Sequence, residues 1–310
     1  ILTGSPVTKS PLDLYTQCAF LSEDLLGYTS FWAFKSRYAL MAQRNAAGGA
    51  HTYQHVIKYI RLDELNEKLE KFSSRVLKED CLDLPEKLYT KRFVELTKEQ
   101  QKAYQEMKQF AIAELEGNTM TAFSGLTQLM RLHQITCGHM TTDEGKLITL
   151  KNNRIKELLN FLDETDGKVI IWANYRHDIK TITKELENKY GTQTACSFYG
   201  DTAVDDRDQI VSRFQDKEDD LKYLIANPKT GGDGLTLTAS HTVVYYSNSY
   251  DLEIRLQSED RTHRIGQNNK VTYVDFIAEK TVDENIVKCL RSKIDIATEV
   301  LGEDLKSWLV

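Results

Sequence analysis

The chain has 310 residues, of which 41% are hydrophobic and 28% charged, a composition that excludes a disordered protein and is typical of a folded globular one. The net charge of −6 excludes a protein that coats nucleic acid through its overall charge, so any nucleic-acid contact must come from a local groove. No run of about 18 apolar residues is present, which predicts no membrane-spanning helix and no membrane partner.

The N-terminal residues and the cysteines indicate the cellular compartment of the protein. The first residues, ILTGSPVTKS, have neither the basic start nor the apolar core of a signal peptide. The five cysteines are scattered without a CxxC pair, as in a chain with reduced thiols, so we predict a cytoplasmic protein. Cys137 and His139 form the one close Cys/His pair, and a metal site there would need two further ligands at matching spacing, so we predict no metal ligand.

The first half of the chain is predicted to be mainly helical, from about residue 22 to residue 150. Apolar side chains recur at helical spacing in two stretches, which are Leu62, Leu65, Leu69 and Phe72, and then Tyr104, Met107, Phe110 and Leu115. Between these stretches, Pro85 ends one helix and an extended run is predicted over residues 88–96, before Thr97 caps the next helix.

From residue 151 onward, strands and helices alternate. The strands are predicted at residues 168–173, 192–198, 221–226, 241–246 and 271–277. The helices are predicted at residues 153–162, 175–190, 204–214 and 251–262, with a last helix from residue 281. This alternation predicts a parallel sheet covered by helices on both faces, and the ligands of such sheets lie at the carboxyl ends of the strands.

The loop after the third predicted strand, residues 227–234, is rich in glycine. Gly231, Gly232 and Gly234 allow the backbone to turn sharply and to present several N–H groups together. The next segment, residues 235–239, is predicted to begin a helix whose N-terminus adds positive potential. Such a loop suits phosphate oxygens; the alternative is a plain tight turn, which also uses glycine.

The stretch QSEDRTHRIGQ, residues 257–267, places Arg261 and Arg264 three residues apart on a predicted helix that ends at Gly266. Residues at this spacing share a helix face, and two planar guanidiniums on one face suit a phosphate. The alternative is a solvated helix whose arginines pair with neighbouring carboxylates, which are Glu253, Glu259 and Asp260.

Two other strand ends, residues 172–174 and 198–201, carry aromatic and small polar groups at the same predicted edge of the sheet. Hydroxyls, amides and N–H groups of this kind contact nucleic-acid backbones, and the alternative for each segment is an ordinary strand end. No phosphate loop of the form GxxxxGK[ST] is present, and no DExx box follows a strand. We therefore expect the residues that bind magnesium and the β- and γ-phosphates of a nucleotide to lie outside this chain.

Together these motifs resemble the switch/sucrose-nonfermenting branch of the superfamily 2 helicase-like ATPases. Residues 229–237 (KTGGDGLTL) resemble motif V of that family, and residues 257–267 resemble motif VI. Residues 168–174 resemble motif IV, and residues 2–6 (LTGSP) resemble motif III, which closes the first RecA-like lobe. The other similar segments are residues 84–87, 96–104, 126–139, 199–214 and 281–286.

The resemblance implies an α/β fold in which a RecA-like second lobe follows a helical insertion. The implied segments are the end of the first lobe at residues 1–22, the insertion at 23–150, the second lobe at 151–280 and a C-terminal helical brace at 281–310. It also implies that a first lobe, with the phosphate loop and the acidic box, precedes residue 1.

The family's functional residues map onto this chain through the matching motifs. Two residues would act on ATP across the cleft between the lobes as arginine fingers, Arg261 and Arg264. The nucleotide side of the cleft would be lined by Gly232, Asp233, Gly234 and Gln257. The phosphate backbone of double-stranded DNA would be contacted, without regard to sequence, by Asn174, Tyr199, Gly200, Lys229 and Thr230. Coupling between the two sites would pass through Thr3 and Ser5.

The resemblance thus predicts the C-terminal part of an ATP-dependent double-stranded DNA translocase that uses ATP and magnesium, with the magnesium ligands on the first lobe. We expect this chain alone to be inactive. A few positions depart from the eukaryotic remodeller pattern and favour a compact bacterial or phage relative; they are Asn227, Pro228, Thr236, Tyr250 and Ser258. The alternatives are a non-catalytic DNA- or protein-binding module that kept the second lobe, and a restriction motor with an appended catalytic domain.

Overall fold

The structure is a computed structural model that describes residues 1–45, 52–74, 76, 81–116, 122–142, 144–231 and 234–301. Within these residues, no helix is both long enough and apolar enough to cross a lipid bilayer.

Residues 1–74 form an N-terminal unit around a small apolar core. Its elements are α1 (Asp13–Leu21), α2 (Phe31–Tyr38), the antiparallel strands β1 (Ala39–Asn45) and β2 (Thr52–Tyr59), and α3 (Leu62–Glu70). The apolar face predicted for α3 is confirmed, because Leu62, Leu65 and Leu69 are buried against Phe34 and Tyr38. The hairpin of β1 and β2 was not predicted, since its residues do not alternate between apolar and polar in a simple way.

The middle of the chain supplies one strand and a pair of packed helices. The elements are β3 (Lys87–Val94), α4 (Lys98–Glu116), α5 (Ala122–Cys137) and the short antiparallel strands β4 (His139–Thr141) and β5 (Leu147–Thr149). Helix α4 begins after Thr97 as predicted, because Thr97 Oγ1 accepts a hydrogen bond from the Gln100 N–H at 3.2 Å. The Gln100 Oε1 accepts the Thr97 N–H at 3.1 Å in return, which completes a capping box.

The remaining elements alternate between helix and strand, as predicted. They are α6 (Asn153–Asp163), β6 (Lys168–Trp172), α7 (Arg176–Tyr190), β7 (Ala195–Phe198), α8 (Val204–Gln215), β8 (Tyr223–Ala226), the single turn α9 (Pro228–Gly231), β9 (Ser240–Tyr245), α10 (Leu252–Glu259), β10 (Val271–Ala278) and α11 (Val282–Leu301). The five predicted strands are confirmed to within three residues at each end.

Six strands form one parallel sheet in the order β3-β10-β9-β6-β8-β7. The edge strand β3 pairs with β10 along its whole length, from Lys87 opposite Val271 to Val94 opposite Ala278. The extended run predicted at residues 88–96 therefore adds a strand to a sheet whose other five strands come from residues 151–280.

Both faces of the sheet are covered, and the side chains of β6 show how. Val169 and Ile171 lie in a core cluster with side chains of α6 and α7, while Ile170 and Trp172 lie in a second cluster with Phe214 of α8. All five residues of β6 are buried. Strands buried on both faces are typical of parallel sheets, and the predicted α/β architecture is confirmed.

Candidate functional site

The carboxyl ends of three neighbouring strands are joined by hydrogen bonds through Asn174. Its N–H donates to Ser247 Oγ and its Nδ2 donates to the Ser247 carbonyl, both at 2.9 Å. Its own carbonyl accepts Asn227 Nδ2 at 3.0 Å. Asn174 follows β6, Asn227 follows β8 and Ser247 follows β9, so these amides hold the ends of the strands at fixed spacing.

The loop after β7 carries Tyr199 and Gly200 and is held by Thr202. The Tyr199 N–H donates to Thr202 Oγ1 at 3.0 Å, and the Thr202 N–H donates to the Tyr199 carbonyl at 2.9 Å. Two basic side chains of α7 lie beside this loop. Lys180 Nζ lies 6.0 Å from the centroid of the Tyr199 ring, and the exposed Arg176 is ion-paired with Asp201 at 3.1 Å.

The loop after β8 begins with the single turn α9, which carries Lys229 and Thr230. Asn227 caps this turn, because its Oδ1 accepts the Lys229 N–H at 3.0 Å and its carbonyl accepts the Gly231 N–H at 2.8 Å. Lys229 is exposed and Thr230 is half-buried. This capping role of Asn227 was not predicted from the sequence, although an asparagine directly after a strand is a signal for it.

Gly231 must be glycine for a steric reason. A Cβ atom at this position would lie 2.6 Å from Trp172 Cζ3, and the Trp172 ring is fully buried. The loop therefore packs directly against the Trp172 indole, and this contact sets the distance between the loop and the sheet.

The helix predicted over residues 235–239 is absent, and that prediction was wrong. Residues 235–237 follow Gly234 without regular structure and lead into β9. The Leu237 side chain is fully buried in the core cluster with Trp172, and the Leu237 N–H donates to the Arg261 carbonyl at 2.9 Å. A helical turn would withdraw both groups from these partners.

Helix α10 ends at Glu259, so the prediction that Arg261 and Arg264 share a helix face was wrong. Residues 260–267 form a series of turns, here named the arginine turn, in which Gly266 has a φ of +97°. The Thr262 and His263 N–H groups both donate to the Glu259 carbonyl, at 3.1 and 3.0 Å. The buried Gln267 closes the turn by donating its Nε2 to three carbonyls, those of Ser240, Thr238 and Thr262 at 2.9, 3.2 and 3.3 Å.

The two arginines differ in their surroundings. Arg261 is half-buried, and its Nε donates to the Gln257 carbonyl at 3.1 Å. Arg264 is exposed, and its Nη1 lies 3.4 Å from the Leu235 carbonyl. Half-buried Gln257 donates its Nε2 to Glu253 at 3.1 Å on the outer face of α10. Gly234 is exposed with a φ of +74°, and two further predicted residues, Gly232 and Asp233, lie outside the described residues.

The predicted residues therefore fall at two opposite edges of the sheet. Asn174, Tyr199, Gly200, Lys229 and Thr230 lie at the carboxyl ends of β6, β7 and β8, as predicted. The arginine turn lies at the amino edge, because α10 runs back from the end of β9 and brings the turn against residues 235–240, which precede and begin β9. Between β8 and β9, residues 227–231 lie at the carboxyl edge and residues 235–239 lie at the amino edge.

Thr3 and Ser5 lie in the N-terminal unit and are hydrogen-bonded to each other. The Ser5 N–H donates to Thr3 Oγ1 at 3.2 Å, and Thr3 is exposed. Among the residues that the structure describes, no hydrogen bond joins either side chain to a loop of the sheet.

The parallel sheet with helices on both faces places the chain in the class of RecA-like α/β lobes, and solved structures of that class are similar. The C-terminal part of the Fun30 ATPase domain matches with a TM-score of 0.56 at 16% sequence identity, covering 70% of this chain and 97% of that one. The Sulfolobus solfataricus SWI2/SNF2 ATPase core domain matches with a TM-score of 0.56 at 24% identity, covering 96% of this chain and 59% of that one. These likenesses establish the fold.

Sequence comparison gives the family. The model of the SNF2-related domain matches residues 1–141, and that of the helicase conserved C-terminal domain matches residues 150–266. The chain therefore carries an SNF2-related match followed by a helicase C-terminal match, and the resemblance inferred from the motifs is confirmed.

Relatives with similar sequences occur in bacteria and in yeast. The putative ATP-dependent helicase/translocase YwqA of Bacillus subtilis is 26% identical over 325 aligned residues, which cover 99% of this chain and 33% of that protein. The SWI/SNF chromatin-remodeling complex subunit snf22 of Schizosaccharomyces pombe is 26% identical over 322 aligned residues, which cover 97% of this chain and 19% of that protein. The chain thus spans a third or less of the length of these relatives.

Proposed function

We propose that this chain is the C-terminal part of an ATP-driven translocase on double-stranded DNA, and that it supplies the arginine fingers and part of the DNA-backbone contacts. The observation that carries the proposal concerns segment 227–239, whose described parts, residues 227–231 and 234–239, reach opposite edges of the sheet. This segment holds Lys229 and Thr230 at one edge of the sheet, and through the Leu237 N–H it holds the arginine turn at the other. One short segment therefore links the two predicted sites.

On the nucleotide side, Arg261 and Arg264 stabilise the charge that develops on the transferred phosphoryl group. Guanidiniums suit this role because they are always charged and present several donors in a plane. Gln257 and Gly234 line the same side of the cleft, and the nucleotide role of Gly232 and Asp233 stays a prediction. We propose that the magnesium ligands lie on the first lobe, as the resemblance implies.

On the DNA side, Lys229 neutralises a phosphate, and Asn174, Tyr199, Gly200 and Thr230 offer amide, hydroxyl and N–H groups to the same backbone. Such contacts fix position and carry no sequence information. A related core, that of Sulfolobus solfataricus, has been solved in complex with double-stranded DNA, which supports the choice of duplex DNA as partner. We propose that Thr3 and Ser5 relay between the two sites when the lobes close, and that the protein works in the cytoplasm.

The test is an ATPase assay with double-stranded DNA, on this 310-residue chain and on the full-length protein that contains it. We expect the chain alone to be inactive and the full-length protein to be stimulated by DNA. Arg264→Ala in the full-length protein should lower kcat by about 10³–10⁵-fold and leave nucleotide binding nearly unchanged. The control is Arg92→Ala, which removes an arginine paired with Glu157 on α6 and with Glu164 just after that helix, and should leave kcat unaltered.

Two results would contradict the proposal. DNA-stimulated turnover by the isolated chain would show that it carries a complete ATP site. Unchanged turnover of the full-length Arg264→Ala variant would remove the finger role and favour a non-catalytic DNA-binding module.

A further inference from the structure

The strand that first enters the sheet contacts the arginine turn at several points. His263 Nε2 donates to the Pro85 carbonyl at 2.7 Å, just before β3 begins. Within β3, Lys87 Nζ and the Tyr89 hydroxyl both donate to Glu259 Oε2, at 3.1 and 2.8 Å. Residues 85–89 are here named the seam, because they lie alongside the arginine turn.

Glu259 is the centre of these contacts and is fully buried. Besides the two donors from β3, its carboxylate accepts Arg255 Nε at 2.8 Å. Burial alone would raise the pKa of this carboxyl, but the charges of Lys87 and Arg255 and the hydrogen bonds outweigh it and lower the pKa to about 2. The side chain is therefore a carboxylate held by three donors at neutral pH, and removing one donor leaves part of a buried charge without a partner.

The backbone of the same residue sets the start of the arginine turn. The Glu259 carbonyl accepts the N–H groups of Thr262 and His263 and the Tyr273 hydroxyl, the last at 3.0 Å. Arg261 lies two residues beyond Glu259. The side chain of Glu259 is thus bound to β3, while its backbone fixes the geometry of the turn.

The seam also has a second ion pair that does not reach Glu259. Lys270 Nζ lies 2.9 Å from Glu86 Oε2, and both side chains are about two-thirds exposed, at 64% and 60%. This pair joins the seam to the residue just before β10 and lies at the surface, where ion pairs contribute little to stability. It therefore provides a matched comparison for the buried contact of Lys87.

We propose that Lys87 is a positioning residue for the arginine fingers: through Glu259 it fixes the arginine turn relative to the strand by which the chain passes from the N-terminal unit into the sheet. The proposal rests on the finger role proposed above. Lys87 does not touch the nucleotide, and its effect is on the placement of groups that do.

The experiment measures DNA-stimulated turnover and ATP affinity of the full-length protein with Lys87→Met, which keeps most of the side-chain volume and removes the charge. We expect kcat to fall about 10- to 100-fold, the loss that follows when a catalytic group is misplaced by up to about 1 Å. The KM for ATP and the Kd for DNA should change less than about threefold, since uniform binding is retained. Lys87→Arg should restore most of the turnover, and Lys270→Met should behave like the wild type.

A purely structural role predicts a different pattern. In that case Lys87→Met lowers the unfolding temperature while kcat, measured well below that temperature, stays at the wild-type value; this result would overturn the proposal. If Lys87→Met does not fold, the kcat of Tyr89→Phe is measured instead, because this substitution removes one hydrogen bond to Glu259 and keeps the ring. A wild-type kcat for Tyr89→Phe in that situation would equally overturn it.

Arg264→Ala in the same assay separates this proposal from the finger role. If Arg264→Ala loses turnover while Lys87→Met and Tyr89→Phe keep it, the finger role stands and the positioning role of Lys87 fails. If Arg264→Ala keeps turnover, both fail together.

Discussion

The Leu237 N–H donates a hydrogen bond to the Arg261 carbonyl at 2.9 Å, and this bond joins the segment that follows β8 to the arginine turn. Leu237 is fully buried, so the bond is shielded from water and its donor has no solvent partner to replace Arg261. A shift of Leu237 along the sheet must therefore move Arg261 or break the bond. Under the roles proposed for Lys229 and the two arginines, contact with DNA and placement of the fingers should therefore change together.

Gly231→Ala should destabilise the chain, because the added methyl group would lie 2.6 Å from the ring of Trp172. The Trp172 ring is fully buried and cannot move aside freely. Overpacking of this kind costs about 1–3 kcal/mol. Urea unfolding of the 310-residue chain measures the loss, and Gly4→Ala is the control, because a Cβ there meets nothing within 4 Å. Equal stability of the two variants would contradict the packing described.

Lys229→Ala should weaken binding of the full-length protein to double-stranded DNA and reduce its dependence on salt. Each phosphate neutralised contributes about −0.9 to the slope of log K against log salt concentration, so losing one contact should make the slope shallower by about that amount. The effect should be the same for unrelated DNA sequences. Fluorescence anisotropy at several salt concentrations measures both quantities.

The matched control for Lys229 is Lys217→Ala, which removes an exposed lysine after α8, near the opposite edge of the sheet. An unchanged slope for Lys229→Ala, or an equal change for Lys217→Ala, would show that the carboxyl edge does not contact the DNA backbone.

The sheet could be predicted from the sequence because each of its strands has a recognisable local pattern of residues. Residues 169–171, for example, are Val-Ile-Ile, and a short apolar and β-branched run of this kind favours a strand buried on both faces. The same reasoning placed Asn174, Tyr199 and Lys229 at one edge, since parallel strands must end on the same side.

The arginine turn could not be predicted in this way. The pattern over residues 251–262 is compatible with one long helix, but the chain leaves the helix at Glu259 to meet partners that are distant in sequence. Leu237 bonds to Arg261, and Pro85 bonds to His263, 178 residues away. The buried ion pairs around Glu259 were missed for the same reason, because a charged residue on a helix is usually solvated and only its neighbours in space reveal otherwise.

The stability of the chain should fall in acid partly because of Glu259. Its folded pKa of about 2 lies below the ordinary value of 4.5, although burial alone would raise it, because Lys87 and Arg255 favour the charged form. A carboxyl with a depressed pKa contributes stability that is complete above pH 4.5 and is lost as the pH falls toward 2. Glu259→Gln should therefore be less stable than the wild type at pH 7, and the difference should shrink between pH 4.5 and 2. Urea unfolding across this range tests it, and a difference that does not depend on pH would exclude Glu259 as the titrating group.

Asp283 should be among the side chains whose loss is most costly, because it pairs with a fully buried arginine. Arg154 is ion-paired with Asp283 and donates its Nη1 to the carbonyls of Tyr246 and Phe276, at 2.5 and 3.2 Å. Asp283 also accepts the Thr136 hydroxyl at 2.8 Å, so it joins α11 to both α5 and α6. Asp283→Asn removes the charge and leaves Arg154 buried without its counter-ion, a change that costs about 3–5 kcal/mol.

The comparison that isolates this effect is Asp295→Asn, an exposed position on the same helix, where the same substitution should change the free energy of unfolding by less than about 0.5 kcal/mol. The double substitution Arg154→Met with Asp283→Asn should recover part of the loss, because the buried charge is then removed from both sides of the pair. If Asp283→Asn alone were no more destabilising than Asp295→Asn, the ion pair with Arg154 would not be what holds α11 against α6.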